Sequence, residues 1–337
     1  MGNEGKKVFV AMSGGVDSSV AALLLKEQGY DVVGAHIHCW DGCDTKEDRR
    51  DAMRVAAKLG IPFLTFDFRK EYREKVFEYM VREYAAGRTP NPDVACNREI
   101  KFGIFLKKAL ELGADFIATG HYVRKIGGRL YEAKDKNKDQ SYFLWTLTPE
   151  QLERSLFPIG DYLKSEVREL ARKAGLATAG KKDSQGLCFV GKVRFQEFLR
   201  SVLPREEGKI LNPAGEILGR HDGAHLYTIG QRHGLKIGGL EKPVYVAERN
   251  VNLNTIIVVD TKDPALYRSE IEVGELNLIS GNLPEKVEVR IRYRQPRQGA
   301  RFFDGKIIFD EPQRGVASGQ SAVFYTEEEL LGGSIIK

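Results

Sequence analysis

Apolar positions along the first half of the chain recur in two alternating rhythms. Val8–Met12 is a short apolar, β-branched run that predicts a buried strand, and Ser18–Gln28 carries helical apolar spacing that ends at Gly29. Asp31–His38 predicts a second strand, Thr45 can cap a helix running to Leu59, and Ile61–Phe68 predicts a third strand. Arg69–Ala86 places Tyr72, Val76, Met80 and Tyr84 on one face of a longer helix; Ile100–Leu112 predicts another, followed by a strand at Asp115–Thr119. Strand and helix in alternation imply an α/β fold with a doubly wound, Rossmann-like parallel sheet. In such sheets ligands sit at the carboxyl ends of the strands, here Met12–Gly15, His36–Trp40 and Thr119–Tyr122.

The rhythm then changes. Tyr122–Ala133 reads as a hairpin turning at Gly127–Gly128, and the polar run Lys134–Ser141 as a solvated turn. Helices are predicted at Thr148–Leu156 and Ser165–Ala174, before a glycine- and lysine-rich loop, AGKKDSQGLCFVG. From about Lys209 the helical period disappears, and short strands separated by turns such as NPAG, HDG, NVNLN and FDGK take over. Three domains are expected: residues 1–205 forming the α/β domain, 206–268 a small β-rich domain, and 269–337 a β-barrel. Within the last, Val287–Arg294 alternates, with Val287, Val289, Ile291 and Tyr293 on one side and Arg290, Arg292 and Arg294 on the other. With Arg297 and Arg301 this is a basic stripe. An ordinary solvated strand face would mix charge signs, and only Glu288 does so here, which favours phosphate binding.

Composition adds bounds rather than a function. At 337 residues, 42% hydrophobic and 29% charged, the chain can bury a substantial core, and a formal net charge of +5 permits a nucleic-acid partner without requiring one. No apolar run approaches a membrane span and MGNEGKK is not a signal or transit pattern, so a cytoplasmic protein without a membrane partner is expected. Four cysteines, Cys39, Cys43, Cys96 and Cys188, are too few for a disulfide scaffold of this size and fit a reducing compartment. Cys39 and Cys43 lack the usual zinc spacing and read as small fillers; converging cysteines would, however, be the donor set of an iron–sulfur cluster.

The junction VFVAMSGGVDSS carries the sharpest chemistry. Gly14 and Gly15 can take positive φ and have no Cβ, so backbone amides can approach an oxyanion where a helix N-terminus offers unpaired N–H groups. Ser13, Ser18 and Ser19 add hydroxyls. Neither a Walker loop nor a dinucleotide fingerprint is present. Asp17 would repel phosphate unless a divalent cation lies between them, which points to Mg²⁺ holding a polyphosphate. A second informative stretch is RTPNPDVACNREIK: Pro90 and Pro92 stiffen it into a fixed loop ahead of the Ile100 helix, with Asp93 three residues before Cys96. The helix start, with Arg88, Arg98 and Lys101, would lower the Cys96 thiol pKa. Cys188 lies on a second basic loop. Two such cysteines suggest thiol chemistry.

SGGVDSS resembles the pyrophosphate loop of the ATP-pyrophosphatase (PP-loop) superfamily. With RTPNPDVACNREIKFG, ATGHY, KDQSYFLW, KKDSQGLCFVG, YTIGQRHGL and SGQSAVFYTEEELLGG, the chain resembles the tRNA-specific 2-thiouridylase family nearly end to end. Ile37 stands where family members often have Met, and the acidic segment after Trp40 is short. The resemblance implies ATP-dependent adenylation of O2 of the wobble uridine of tRNA, then sulfur transfer giving 2-thiouridine, AMP and pyrophosphate. It implies ATP contacts by Ala11, Met12, Ser13, Gly14, Gly15, Val16, Asp17, Ser18, Ser19, Ile37 and Gly120, with Mg²⁺ at Asp17. Cys188 would receive a persulfide from an upstream sulfur-donor protein, Cys96 would release the sulfur and end in a disulfide with Cys188, and Asp93 would move a proton. Asn91, Pro92, Asp93 and His121 would meet the target base, and Lys138, Asp139, Gln140, Arg292, Tyr293, Arg294 and Gln320 the rest of the tRNA. A PP-loop synthetase making a small product would have no use for both cysteines, and an RNA-binding protein with a relic loop would tolerate loss of Asp17.

Overall fold

A computed structural model describes residues 3–41, 45–182, 195–239 and 242–337. The opening follows from the apolar runs: β1 (Lys7–Ala11), α1 (Val16–Glu27), β2 (Asp31–His38), α2 (Thr45–Leu59) and β3 (Phe63–Asp67). The Arg69–Ala86 helix forms, but as α3 (Arg69–Tyr72), a π-helical stretch Arg73–Phe77 and α4 (Glu78–Ala85). Tyr72, Val76, Met80 and Tyr84 are all buried on it, as their spacing requires.

The stretch after Pro90 departs from the expected loop. Helix begins at once, as α5 (Pro92–Cys96), a π-helical stretch Asn97–Phe105 and α6 (Leu106–Glu111). Proline suits the first helical position, where its missing N–H is not needed, and the Asn91 side chain caps the end by accepting from Asp93 N at 3.1 Å and Val94 N at 3.3 Å. Gly103 lies in the π-helical stretch with its Cα against the Arg98 carbonyl; a Cβ there would sit 2.7 Å from that oxygen. Gly103→Ala is therefore expected to cost about 1–3 kcal/mol, read as a lowered denaturation midpoint, because backbone rather than a flexible side chain must yield.

Next come β4 (Phe116–Ala118), β5 (Val123–Ile126), β6 (Arg129–Glu132), α7 (Pro149–Glu153), β7 (Ser155–Leu156) and α8 (Lys164–Lys173). The helix expected to Leu156 stops at Glu153, since Ser155–Leu156 pairs in parallel with β4. The parallel sheet has the order β3-β2-β1-β4-β7, with β1 at its centre. After α9 (Phe195–Val202) the remaining described elements are strands and short 3₁₀ turns: β8 (Gly208–Leu211), β9 (Ile217–His221), β10 (Tyr245–Asn250) and β11 (Thr255–Val259) make a small sheet ordered β10-β11-β8-β9.

The C-terminal strands are β12 (Tyr267–Glu272), β13 (Asn277–Leu278), β14 (Lys286–Arg290), β15 (Gln298–Phe303), β16 (Lys306–Arg314), β17 (Ser321–Thr326) and β18 (Glu329–Ile335). Their barrel sheet runs β12-β16-β15-β14-β17-β18 and then takes in β6 and β5, the hairpin from the first half of the chain. Leu130 and Tyr131 pair with Leu330 and Glu329. The polar run Lys134–Ser141 turns as expected, with Lys134, Lys136 and Asn137 exposed, but its end is built into the barrel. Ser141 Oγ meets Tyr325 Oη at 3.1 Å, the Tyr142 hydroxyl donates to Ser321 O at 3.0 Å, and Trp145 Nε1 donates to Ser321 Oγ at 2.9 Å. Between α4 and the middle sheet, the half-buried Arg249 guanidinium donates to Gly87 O and Tyr227 O. Among the described residues no helix is long and apolar enough to cross a membrane.

Candidate active site

The end of β1 passes into α1 through the glycine loop. Ala11 closes the strand, and Met12, buried, donates its N–H to Ala35 O at 2.7 Å, so the loop starts from a fixed point on β2. Gly14 takes φ +77°, whereas Gly15 is extended at φ −93°, ψ 167° and forms the helix N-cap without a side-chain bond. The N–H groups of Val16, Asp17 and Ser18 consequently have no acceptor within the helix, the condition for an anion cradle. Hydroxyls brace the loop from inside: Ser18 Oγ accepts from Ser13 N at 3.2 Å, and Ser19 Oγ donates to Gly15 O at 2.8 Å. A Cβ on Gly14 would collide with the Asp48 carbonyl of α2, so glycine is required there by contact as well as by φ.

Asp17 is held by residues that the sequence pattern did not single out. Lys164 Nζ donates to Asp17 Oδ1 and Oδ2 at 2.7 Å each, and the Tyr122 hydroxyl donates to Oδ1 at 2.9 Å. Gly120 packs on the same turn; a Cβ would lie 2.6 Å from Ser18 N. Beside it, Lys181 Nζ reaches Asp48 and Asp51 of α2 at 2.7 Å each. The open N–H groups fit the phosphates of ATP, and Asp17 is a hard oxygen donor of the kind Mg²⁺ takes.

From Gly120 the chain runs directly into His121, whose ring lies 5.9 Å from that of Phe102 on the Cys96 helix and whose Nδ1 is 2.8 Å from Thr119 Oγ1. The phosphate loop and the helix bearing Asp93 and Cys96 therefore both abut the carboxyl end of β4. Asp93 is half-buried, but Cys96 is only 4% exposed, against the expectation of an open loop thiol, because it sits on the inner face of α5. Ahead of this helix Thr89 is clamped to the barrel: its N–H donates to Ser318 O at 2.7 Å, and its carbonyl accepts from Gln320 Nε2 at 2.8 Å. Gln320 thus positions the Asn91–Asp93 turn. Ile37, half-buried on β2, packs against the apolar core.

His121 is buried, and burial first and the Lys101 charge second hold its pKa well below 6.5. The ring is neutral in the fold, whereas an unfolded imidazole gains a proton as pH falls through about 6.5. The stability this contributes is complete above that pH and is lost as pH falls below it. His121→Gln should accordingly lose less stability than the wild type between about pH 7 and pH 5 in urea titrations at each pH.

The basic stripe is largely spent inside the molecule. Strand β14 ends at Arg290, whose guanidinium pairs with Glu132 at 2.7 Å and Asp139 at 3.0 Å. Arg292 donates to Ile229 O and Gly315 O, and Arg297 pairs with Glu288 at 3.0 Å. Arg294 adopts φ +63°, breaking the alternation, and stacks its exposed guanidinium over Tyr293, which in turn packs on Phe143 at 4.4 Å. Arg294 and Arg301 are the members of the stripe left exposed. Asp139 is buried and engaged by Arg290, Ala133 N and Ser141, while Gln140 Oε1 accepts from Tyr122 N at 3.0 Å; Lys138 is half-buried on the same turn. Cys188 and Cys43 lie outside the described residues. Among those described, no group of three or more His, Cys, Asp or Glu side chains is placed to hold a metal.

Residues 6–192 match the family model described as the tRNA methyl transferase HUP domain, 196–260 that of its PRC-barrel domain, and 268–336 that of an aminomethyltransferase β-barrel domain. The tRNA-specific 2-thiouridylase MnmA of Bacillus subtilis is 48% identical, covering 99% of this chain and 95% of that one. The protein of the same name from Pseudomonas savastanoi pv. phaseolicola is 50% identical, with 99% and 95% covered. Among solved structures, the U34-tRNA thiolase NcsA of Methanococcus maripaludis aligns weakly, with a TM-score of 0.39 at 19% identity over 59% of this chain and 63% of that one. On the near full-length identity to these curated relatives, the chain belongs to the tRNA-specific 2-thiouridylase family.

Proposed function

We propose that the protein is a tRNA-uridine 2-sulfurtransferase that adenylates O2 of the wobble uridine with ATP and replaces that oxygen with sulfur from a cysteine persulfide. The observation that carries the reading is the convergence at the end of β4, where Gly120 backs the phosphate loop and His121 meets Phe102 of the Cys96 helix. An ATP site and the helix that bears a thiol, meeting at one strand end, suit a reaction in which activation and sulfur delivery act on one base.

The uridine 2-oxygen is a poor leaving group until it carries an adenylyl group. Val16, Asp17 and Ser18 N–H groups would hold the pyrophosphate, Asp17 would retain Mg²⁺, and the metal would neutralise the departing charge. Asn91, Pro92, Asp93 and His121 would receive the base, splayed from the anticodon loop, with the Asp93 carboxylate placed to take a proton. Cys188 would carry the persulfide supplied by a donor protein. Its terminal sulfur attacks C2 as the C2–O bond to AMP breaks; the Cys96 thiolate then attacks Cys188 Sγ, releasing 2-thiouridine and leaving a Cys96–Cys188 disulfide that a thiol must reduce. Lys138, Arg292, Tyr293, Arg294 and Gln320 would meet the rest of the tRNA, and the exposure of Arg294 supports its part in this.

The test incubates the purified protein with unmodified tRNA bearing a wobble uridine, Mg·ATP and sulfide, and seeks 2-thiouridine by nucleoside mass spectrometry. Its appearance, with AMP and pyrophosphate, supports the reading. ATP cleavage without sulfur in the tRNA would leave adenylation and remove the substrate assignment.

A further inference from the structure

Lys164 is the first residue of α8, whose remaining turn carries Glu166 in the position a helix N-terminus favours. A cation at that end opposes the helix dipole, so local preference does not account for the lysine. Its tertiary surroundings do. Lys164 Nζ meets both Asp17 oxygens at 2.7 Å, its ammonium lies 5.7 Å over the Tyr122 ring, and its backbone N–H is fixed by Asp135 Oδ2 at 2.9 Å. The pair is substantially enclosed, with side-chain exposures of 12% for Lys164 and 30% for Asp17.

A carboxylate gripped through both oxygens by an ammonium is neutralised and has little left for a metal ion. Yet Asp17 projects from the first turn of α1, next to the N–H groups that suit phosphate. We infer that Lys164 is an exchangeable counter-ion: it occupies Asp17 while the phosphate loop is empty, and passes to an oxygen of the polyphosphate when Mg²⁺ takes Asp17. The exchange leaves no enclosed charge unpaired in either state. Asp17 is ion-paired before the metal arrives and metal-bound after it, while the ammonium trades a carboxylate for a phosphate. Tyr122, bonded to Asp17 Oδ1 and lying under the ammonium, keeps both partners within reach of one another. The inference rests on the adenylation reading above and makes Lys164 a polyphosphate contact and a gate on metal affinity.

The test uses the full chain without tRNA. Mn²⁺ binding in the absence of nucleotide is followed by electron paramagnetic resonance, and pyrophosphate binding in excess Mg²⁺ by calorimetry, for the wild type and Lys164→Met. Freed of its ammonium, Asp17 should bind Mn²⁺ at least about tenfold more tightly, while pyrophosphate should bind at least about tenfold more weakly. Unchanged Mn²⁺ affinity, or unchanged pyrophosphate affinity, overturns the exchange, which requires the ammonium to hold Asp17 without the metal and the phosphate with it. A wild type that binds no pyrophosphate overturns the phosphate-loop reading itself, and the exchange with it. Should Lys164→Met not fold, Asp17→Asn/Lys164→Met removes both charges together; pyrophosphate binding about tenfold weaker than in Asp17→Asn supports the contact, and equal binding overturns it.

Discussion

Arg290→Ala is expected to lower the unfolding free energy by about 3–5 kcal/mol, the cost of leaving buried charge without its partner. The guanidinium serves two carboxylates of one distant segment, Glu132 at 2.7 Å and Asp139 at 3.0 Å, whose side chains are 2% and 4% exposed. It also lies 5.1 Å over the Tyr325 ring. Burial already pushes the Asp139 pKa up, with Arg290 among the groups that hold it down. Removing the arginine leaves Arg297, 3.8 Å from Glu132, as a distant substitute. Urea denaturation checks this, and a loss below about 1 kcal/mol would mean that water or Arg297 takes over. Arg290→Lys should recover part of the loss, since an ammonium keeps the charge but lacks the planar fork with which the guanidinium meets the two carboxylates from separate nitrogens.

The largest effect on activity is expected from Cys96→Ser. With a persulfide-charged donor, 2-thiouridine formation should fall by about two to four orders of magnitude, the range for removing a positioned reactive group, while tRNA-dependent formation of AMP and pyrophosphate persists. The separation follows from the architecture: the phosphate loop hangs from β1 and α1, and Cys96 from α5, so the substitution leaves the loop intact. Serine is smaller and more polar than a thiol that is 4% exposed, so a parallel Cys96→Ala protein distinguishes lost sulfur chemistry from disturbed packing. Equal rates for Cys96→Ala and the wild type would remove the residue from the reaction. Product and pyrophosphate are both quantified in one quenched time course.

The first half of the fold was legible because its periods are unambiguous. Asp31–His38 and Thr45–Leu59 form at their predicted bounds, the first as an apolar run and the second because Ala52, Val55, Ala56 and Leu59 recur at helical spacing on one buried face of a polar helix. The phosphate loop was legible because its chemistry is local: two glycines, three serines and an aspartate within seven residues. What could not be read depends on partners distant in sequence. Prolines at 90 and 92 read as a break, yet Pro92 starts a helix once Asn91 caps it and the barrel clamps Thr89. The Arg290–Arg294 alternation looked like a phosphate-binding face, but Arg290 answers two carboxylates more than a hundred residues earlier, a pairing that no strand pattern encodes. Lys164 was passed over for the same reason. A lone lysine opening a helix gives no signal, and only the fold brings it to Asp17, 147 positions away.

The hairpin of β5 and β6 joins the barrel sheet by pairing with β18, and Arg124 reaches Glu328 across 204 positions of sequence. During synthesis at about 5–20 residues per second, that edge therefore waits roughly 10–40 s for its partner strand to leave the ribosome. Through that interval Leu130, fully buried in the finished protein, and the open backbone groups of β6 form an adhesive edge. Growing chains on one messenger would be prone to pair through it, so yield in a heterologous host should depend on translation speed and on chaperone supply more than on the stability of the completed enzyme.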